Sequence, residues 1–165
     1  SAACPRPIRF VMHYAFMKIP IVGLFFRRAK VIPIAGQKED PKMLEDSFRR
    51  ISEELRAGEL VCIFPEGEIT RDGNMVAFRK GIERILAENP VSVIPVALDG
   101  MWGSYFSRRH GRAMSKPFRR VWSRIRIVVA PAVPASEATA ERLQTIVAAK
   151  LGVPMPKPFV KPPTG

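Results

Sequence analysis

The sequence predicts an α/β domain with a largely parallel central sheet and helices on both of its faces. Short apolar runs rich in β-branched residues alternate along the chain with segments of helical periodicity, which is the pattern of βαβ units. One such run, residues 60–63, stops at a Pro-Glu-Gly turn, as a buried strand does when it ends in a loop. The chain has 165 residues, 47% of them hydrophobic, so it is long enough for one domain with a substantial core.

The first half of the chain supplies two strands and the clearest helix. Residues 7–12 alternate weakly and predict a first strand, and residues 31–34 predict a second one. Asp40 is the expected N-cap of the helix, Pro41 suits its first position, and Gly58 ends it. One face of this helix is apolar and consists of Leu44, Phe48, Ile51 and Leu55.

The second half continues the alternation of strand and helix. Residues 60–64 predict a strand, and residues 81–88 predict a helix that ends at Asn89-Pro90. Residues 91–98 predict a buried strand, and residues 124–129 predict a half-exposed strand with its isoleucines and Val129 on one face.

The end of the chain is predicted to hold a last helix and a loose segment. Ser136 is the expected cap of that helix, and Gly152 follows it. Residues 1–152 are therefore assigned to the α/β domain, and residues 153–165, with five prolines, to an extended tail.

Charge indicates an anionic partner. The net charge is +12, and no acidic residue occurs between Asp99 and Glu137. Such a balance favours nucleic acid, an anionic membrane surface or a phosphorylated substrate, although a basic block can also be an ordinary solvated face. The basic residues of this block are Arg108, Arg109, Arg112, Lys116, Arg119, Arg120, Arg124 and Arg126.

No apolar run reaches the roughly 18 residues that a membrane-spanning helix needs. Cys4 and Cys62 lie far apart and in no metal-ligand pattern, so both are expected to be reduced thiols in a domain that faces the cytoplasm.

Three ordered motifs resemble the glycerolipid acyltransferases that acylate lysophospholipids. They are Phe64-Pro65-Glu66-Gly67 after an apolar strand, then Phe78-Arg79-Lys80-Gly81, then Val93-Ile94-Pro95-Val96. The longer form, Phe-Pro-Glu-Gly-Glu-Ile-Thr, is most similar to the acyltransferase domain of acylglycerophosphoethanolamine acyltransferases, which is often fused to other domains. The resemblance implies transfer of a fatty acyl group from acyl-CoA or acyl carrier protein to the hydroxyl of a lysophospholipid, without a bound cofactor or metal.

The same resemblance implies a set of site residues. The substrate-binding candidates are Pro65, Glu66, Gly67, Thr70, Arg71, Arg79 and Lys80. An apolar segment with a basic edge is a candidate for membrane or acyl-chain contact, although it can equally be an ordinary core helix. The residues proposed for this contact are Phe16, Phe25, Phe26, Arg27 and Arg28. The expected location is peripheral, on the cytoplasmic face of a bacterial inner membrane.

The catalytic pair of the family is missing from the printed sequence. The family activates the hydroxyl with a His and an Asp at HxxxxD spacing, because a hydroxyl is a poor nucleophile until a base takes its proton. Five places after His13 stands Lys18, and five places after His110 stands Ser115. We therefore expect the pair just upstream of Ser1, and we expect this chain alone to be inactive. His13 is expected to be a partly buried structural residue.

Two other functions remain open from the sequence. A nucleic-acid-binding module would explain the basic block and its interleaved aromatic residues, although no specific nucleic-acid motif occurs. A non-catalytic, lipid-binding relative of the acyltransferases would explain the three motifs and the missing base together.

Overall fold

A computed structural model of the chain describes residues 6–15, 30–68, 70, 72–100, 102 and 124–156. The chain divides into two compact units, residues 1–64 with 87–89 and residues 65–86 with 90–165. In chain order the regular elements are β1 (Ile8–His13), β2 (Ile32–Ile34), α1 (Pro41–Arg56), β3 (Leu60–Cys62), α2 (Gly81–Glu88), β4 (Val96–Asp99), β5 (Arg126–Val129) and α3 (Ala140–Leu151).

The first unit contains a parallel sheet with the order β2-β1-β3. Val11 is in register with Ile32, and Ile8 is in register with Leu60. Helix α1 packs against β2 and β3 and buries Phe48 and Ile51. The predicted α/β class and its parallel sheet are confirmed.

Local signals set the start of α1 where the sequence predicts it. Asp40 Oδ1 accepts a hydrogen bond of 2.9 Å from the backbone N–H of Met43, and Pro41 occupies the first turn. Ser47 on the buried face donates to the carbonyl of Pro33, 2.7 Å away, and so ties the helix to the end of β2.

A buried arginine joins the other side of α1 to the sheet. Arg9 on β1 is 9% exposed and forms ion pairs with Glu54 at 2.9 Å and with Glu59 at 3.2 Å. Both carboxylates raise the pKa of the guanidinium, chiefly through the Glu54 hydrogen bond. An arginine at this depth is tolerated because its charge is paired on both sides.

The second unit contains an antiparallel pair of strands. Val96 lies opposite Val129 in this pair, and Leu98 lies opposite Ile127. Helix α3 packs on β4 over Ala97, which is 1% exposed, and contributes the buried Leu143.

The prediction for residues 91–98 is wrong in length and in burial. Pro95 has no N–H to donate, and the strand begins only after it, so that Val93 forms an isolated bridge with Val133. The strand pairs antiparallel with β5, and the face opposite Ala97 is exposed. Its four aliphatic side chains are 37–59% exposed: Val96, Leu98, Ile127 and Val129.

Two smaller predictions also need correction. Ser136 lies within a short 3-10 turn, Ala135–Glu137, and the cap of α3 is Thr139, whose side chain accepts from the N–H of Arg142. Strand β3 ends at Cys62, and Phe64 is 49% exposed rather than part of a buried strand. Helix α2 spans residues 81–88 as predicted, with Ile82, Ile85 and Leu86 buried. Among the helices of the described residues, none is long and apolar enough to cross a bilayer.

Candidate functional site

The described residues between positions 65 and 79, which exclude 69 and 71, form a loop whose two ends are joined. The backbone N–H of Arg79 donates to the carbonyl of Pro65 at 2.8 Å. Next to this closure, the N–H of Phe78 donates to Oε1 of Gln144, a buried residue of α3, at 2.6 Å. Compact loops with adjoining ends that are packed by their own side chains frequently carry function. We refer to this segment as the 65–79 loop.

The side chain of Glu66 forms a hydrogen bond across the interior of the loop. Its Oε2 accepts a hydrogen bond of 2.8 Å from the backbone N–H of Val76, ten residues later. Burial raises the pKa of the Glu66 carboxyl, and the nearby Glu68 acts in the same direction, while the Val76 hydrogen bond opposes both. This carboxylate therefore shapes the loop, and one of its oxygens is committed to the backbone.

Arg79 lies directly against Gly67. Its Nε donates to the carbonyl of Glu66 at 3.3 Å. Gly67 has φ +67°, and a Cβ at this position would lie 2.6 Å from Arg79 Nε. The backbone conformation favours glycine here, and a Cβ would displace the end of the flexible Arg79 side chain. The close approach that the sequence assigns to a ligand is, in this structure, made by a cationic side chain.

The second cation of the motif stands beside the first. Arg79 and Lys80 are both exposed and lead directly into α2, where the carbonyl of Lys80 accepts from the N–H groups of Glu83 and Arg84. Two adjacent cations at the start of a helix favour an anionic ligand, since the helix dipole is positive at this end.

The tip of the loop is a small hydrogen-bonded network. Thr70 Oγ1 donates to Asp72 Oδ1 at 3.0 Å and accepts from the N–H of Gly73 at 3.1 Å. Asp72 also accepts from the backbone and the side-chain amide of Asn74, and these bonds, the backbone one first, lower the pKa of Asp72.

The structure brings six predicted residues together in this loop and its closure: Pro65, Glu66, Gly67, Thr70, Arg79 and Lys80. Arg71 lies outside the described residues, as do the candidates for membrane contact, Phe16, Phe25, Phe26, Arg27 and Arg28. Sequence reasoning missed the partners of these residues. Val76 contributes a backbone group, which leaves no signal in the sequence, and Gln144 is 66 positions from its partner Phe78.

His13 is engaged on both ring nitrogens. Its Nε2 lies 2.8 Å from Glu39 Oε2, and its Nδ1 accepts from the N–H of Ala15 at 3.4 Å. The histidine hydrogen bond lowers the pKa of Glu39, with a further contribution from the N–H of Gly36. This geometry supports the structural role predicted for His13. No cluster of three potential metal ligands occurs within the part of the chain that the structure describes.

The parallel sheet of the first unit and the closed, cation-bearing loop of the second define an α/β protein with a candidate anion site. Residues 1–99, more than half of the chain, match the family model described as Acyltransferase. The chain belongs to the acyltransferase family.

Curated relatives match the same part of the chain. A chloroplastic 1-acyl-sn-glycerol-3-phosphate acyltransferase of Arabidopsis thaliana is 32% identical over 95 residues, which are 58% of this chain and 26% of that protein. Its counterpart from Brassica napus is 32% identical over 92 residues, which are 56% of this chain and 26% of that protein. The chain thus spans about a quarter of the length of the relatives it matches.

A solved structure shares the fold. The 1-acyl-sn-glycerophosphate acyltransferase PlsC from Thermotoga maritima superposes with a TM-score of 0.61 at 20% identity, over 88% of this chain and 56% of that one. At this identity the likeness concerns the fold alone.

Proposed function

We propose that the natural protein transfers a fatty acyl group from an acyl thioester to the free hydroxyl of a lysophospholipid, and that the 65–79 loop binds the phosphate of this acceptor. Family membership and the names of the curated relatives support the reaction. The proposed role of the loop rests on one observation. The guanidinium of Arg79 lies against the backbone of Gly67, next in the chain to the cationic Lys80.

Phosphate recognition follows from the chemistry of these groups. A guanidinium presents several N–H donors in a planar fork that matches phosphate oxygens, and such charge-assisted bonds are about twice as strong as neutral ones. The bond from Arg79 Nε to the Glu66 carbonyl orients that fork before a ligand arrives. Preorganisation of this kind lowers the entropic cost of binding.

The loop is assigned to acceptor binding and not to proton transfer. In the proposed reaction the acceptor oxygen attacks the thioester carbonyl, the C–O ester bond forms, the C–S bond breaks, and the thiol leaves with the proton of the hydroxyl. A base must accept that proton first. The printed sequence has no HxxxxD pair, and we assign Glu66, whose Oε2 accepts from the N–H of Val76, to shaping the loop.

Finer features of the reaction are also proposals. The names of the relatives favour 1-acyl-sn-glycerol 3-phosphate as acceptor, whereas the Phe-Pro-Glu-Gly-Glu-Ile-Thr motif favours an ethanolamine lysophospholipid. The donor is acyl-CoA or acyl carrier protein. The net charge of +12 supports attachment to an anionic membrane surface, which we place on the cytoplasmic side.

The test is an acyl-transfer assay on the complete natural polypeptide that contains this sequence. Labelled acyl-CoA and acyl carrier protein are offered in turn with each of the two lysophospholipids. We expect Arg79→Gln to raise the acceptor KM by about tenfold or more, since a charged hydrogen bond to phosphate is lost. Arg79→Lys should recover part of the loss because it keeps the charge but not the fork.

Arg142→Gln is the matched control. Arg142 is an exposed arginine of the same unit whose guanidinium pairs with Glu137 at 2.7 Å, far along the chain from the loop. Its replacement should leave both kinetic constants unchanged. An acceptor KM that is the same in Arg79→Gln and Arg142→Gln would remove the loop from the acceptor site, and absence of transfer to either lysophospholipid would refute the reaction itself.

A further inference from the structure

An aromatic side chain contacts the tip of the 65–79 loop. Gly73 has φ +91°, and a Cβ built on it would lie 2.7 Å from Cδ2 and 2.8 Å from Cε2 of Trp102. The indole ring therefore packs on Gly73 at a separation that leaves no room for a Cβ unless the ring or the loop shifts. The required glycine and the tryptophan are 29 positions apart, and the three sequence motifs do not include Trp102.

Trp102 stands three positions after the end of β4 in the sequence. It follows Asp99, the last residue of β4, whose carboxylate pairs with Arg126 on β5 at 2.7 Å. Gly100 lies so close to the carbonyl of Arg124 that a Cβ at this position would overlap it. Gly100 thus lies against the residues just before β5, and the indole two positions later contacts the tip of the loop.

The tip needs such a contact. Asp72, Gly73 and Asn74 are exposed, and their hydrogen bonds run to Thr70 and among themselves. Solvent-exposed hydrogen bonds contribute little net stability because water replaces them readily. The loop is held at its base by the Arg79–Pro65 and Phe78–Gln144 bonds, so the indole on Gly73 fixes the end that lies away from the base.

We infer that Trp102 is a positioning residue, which holds the 65–79 loop in the conformation that binds the phosphate of the acceptor. The inference rests on the proposed function for its consequence, but the holding of the loop is a physical property of the chain. Glu66 and Val76 lie between the tip and the base of the loop. If the tip moves, the hydrogen bond between them is weakened, and so is the bond from Arg79 Nε to the Glu66 carbonyl that orients the guanidinium.

Hydrogen exchange tests the holding without any reference to activity. The amides of Gly73, Asn74 and Val76 donate within the loop, and amides in locally opening segments exchange faster. In the 165-residue chain we expect Trp102→Ala to accelerate these three amides by about tenfold or more. The amides of α3 should be unchanged, and Trp102→Phe should retain most of the protection because it keeps an aromatic ring on Gly73.

Kinetics on the complete natural polypeptide test the consequence. Trp102→Ala should raise the KM for the lysophospholipid by about fivefold or more, leave the KM for the acyl donor unchanged, and be rescued by Trp102→Phe. Loop amides that exchange at the wild-type rate would overturn the inference, and so would equal acceleration in α3, which indicates general destabilisation. An acceptor KM within twofold of wild type, despite faster loop exchange, would overturn it as well.

The two proposals fail in different ways. If the wild-type polypeptide transfers no acyl group, the proposed function is wrong, whereas the exchange experiment still reports whether Trp102 holds the loop. If transfer occurs and Trp102→Ala behaves like wild type in both assays, the proposed function stands and the inference about Trp102 is refuted.

Discussion

The 65–79 loop and the β4–β5 pair lie in the same compact unit and use their residues in opposite ways. The loop is irregular and partly exposed, yet its polar side chains hydrogen-bond one another and the loop backbone, and a Cβ built on Gly67 or Gly73 would lie 2.6–2.7 Å from a side-chain atom. The strands are regular and aliphatic, yet one of their faces is open to solvent. Exposure in this unit is therefore a poor guide to which positions tolerate substitution.

The largest expected effect is at the loop tip, in Gly73→Ala. The substitution forces an L-residue to φ +91° and places a methyl group 2.7 Å from Cδ2 of the Trp102 indole, closer than van der Waals contact allows. Backbone strain alone costs about 1–2 kcal/mol, and the clash with the ring adds to it, so we expect a loss of about 2–3 kcal/mol in the free energy of unfolding. Urea denaturation of the chain measures this loss.

Gly152→Ala separates the two causes. Gly152 follows α3 in the same unit with φ +67°, and a Cβ there would meet no atom within 4 Å. Its substitution should cost only the backbone term, about 1 kcal/mol. Equal losses in Gly73→Ala and Gly152→Ala would mean that the contact between Gly73 and Trp102 has no energetic weight.

The next largest effect is expected at Glu66, whose carboxylate accepts a hydrogen bond from the N–H of Val76. Glu66→Ala leaves the N–H of Val76 without its acceptor in a half-buried site, and a lost bond of this kind costs about 1–3 kcal/mol. Glu66→Gln keeps an acceptor oxygen in place and should cost less. Thermal unfolding of both variants checks the order, and a Glu66→Gln variant as unstable as Glu66→Ala would show that the charge matters more than the hydrogen bond.

The same residue predicts a pH dependence. Burial raises the pKa of Glu66 in the folded state, so the folded chain holds this proton more tightly than the unfolded chain does. The protonated carboxyl therefore stabilises the folded chain fully at a pH below the pKa of an ordinary carboxyl. This stabilisation is lost as the pH rises through the higher pKa of the folded state. Wild type should therefore lose stability relative to Glu66→Gln as the pH rises above about 4. A Tm difference that is constant over this range would contradict the prediction.

The contribution of Asp72 to stability is expected to depend on pH in the opposite direction from that of Glu66, and to be smaller. Its hydrogen bonds with Asn74 and Thr70 lower its pKa, so its contribution is present above the ordinary carboxyl pKa and is lost as the pH falls through the lowered one. Asp72→Ala should reduce the Tm less than Glu66→Ala does, because Asp72 is exposed. Hydrogen exchange at Asn74, whose amide donates to Asp72, is the sensitive measurement. Wild-type exchange at Asn74 would show that the tip network is inert.

The sequence predicted what is local and missed what is distant. The cap at Asp40, the bounds of α2 and the position of the loop all depend on neighbouring residues, and all three are correct. The antiparallel pairing of β4 with β5 joins segments about 30 positions apart, and periodicity shows only that an apolar face exists. Whether that face is covered depends on the rest of the fold.

The same division holds for the candidate site. Its motif residues are contiguous and could be named from the sequence, whereas their partners could not. Trp102 is 29 positions from Gly73, and Gln144 lies on α3, 66 positions from Phe78, so both contacts depend on tertiary structure. The choice of Thr139 over Ser136 as helix cap likewise depends on the 3-10 turn that takes up Ser136.

The smallest expected effect lies on the exposed face of the β4–β5 pair. Ile127 and Val129 are 51% and 59% exposed, and threonine keeps the β-branched shape that suits a strand. The double variant Ile127→Thr, Val129→Thr should therefore change the free energy of unfolding by no more than about 0.5 kcal/mol per site. On the opposite face, Ala97→Leu should cost about 1–3 kcal/mol, because Ala97 is 1% exposed beneath α3 and the added carbons have no room. Urea denaturation of the two variants, side by side, measures the contrast. A double variant as unstable as Ala97→Leu would mean that the aliphatic face is covered in solution, and that its exposure does not describe the folded protein.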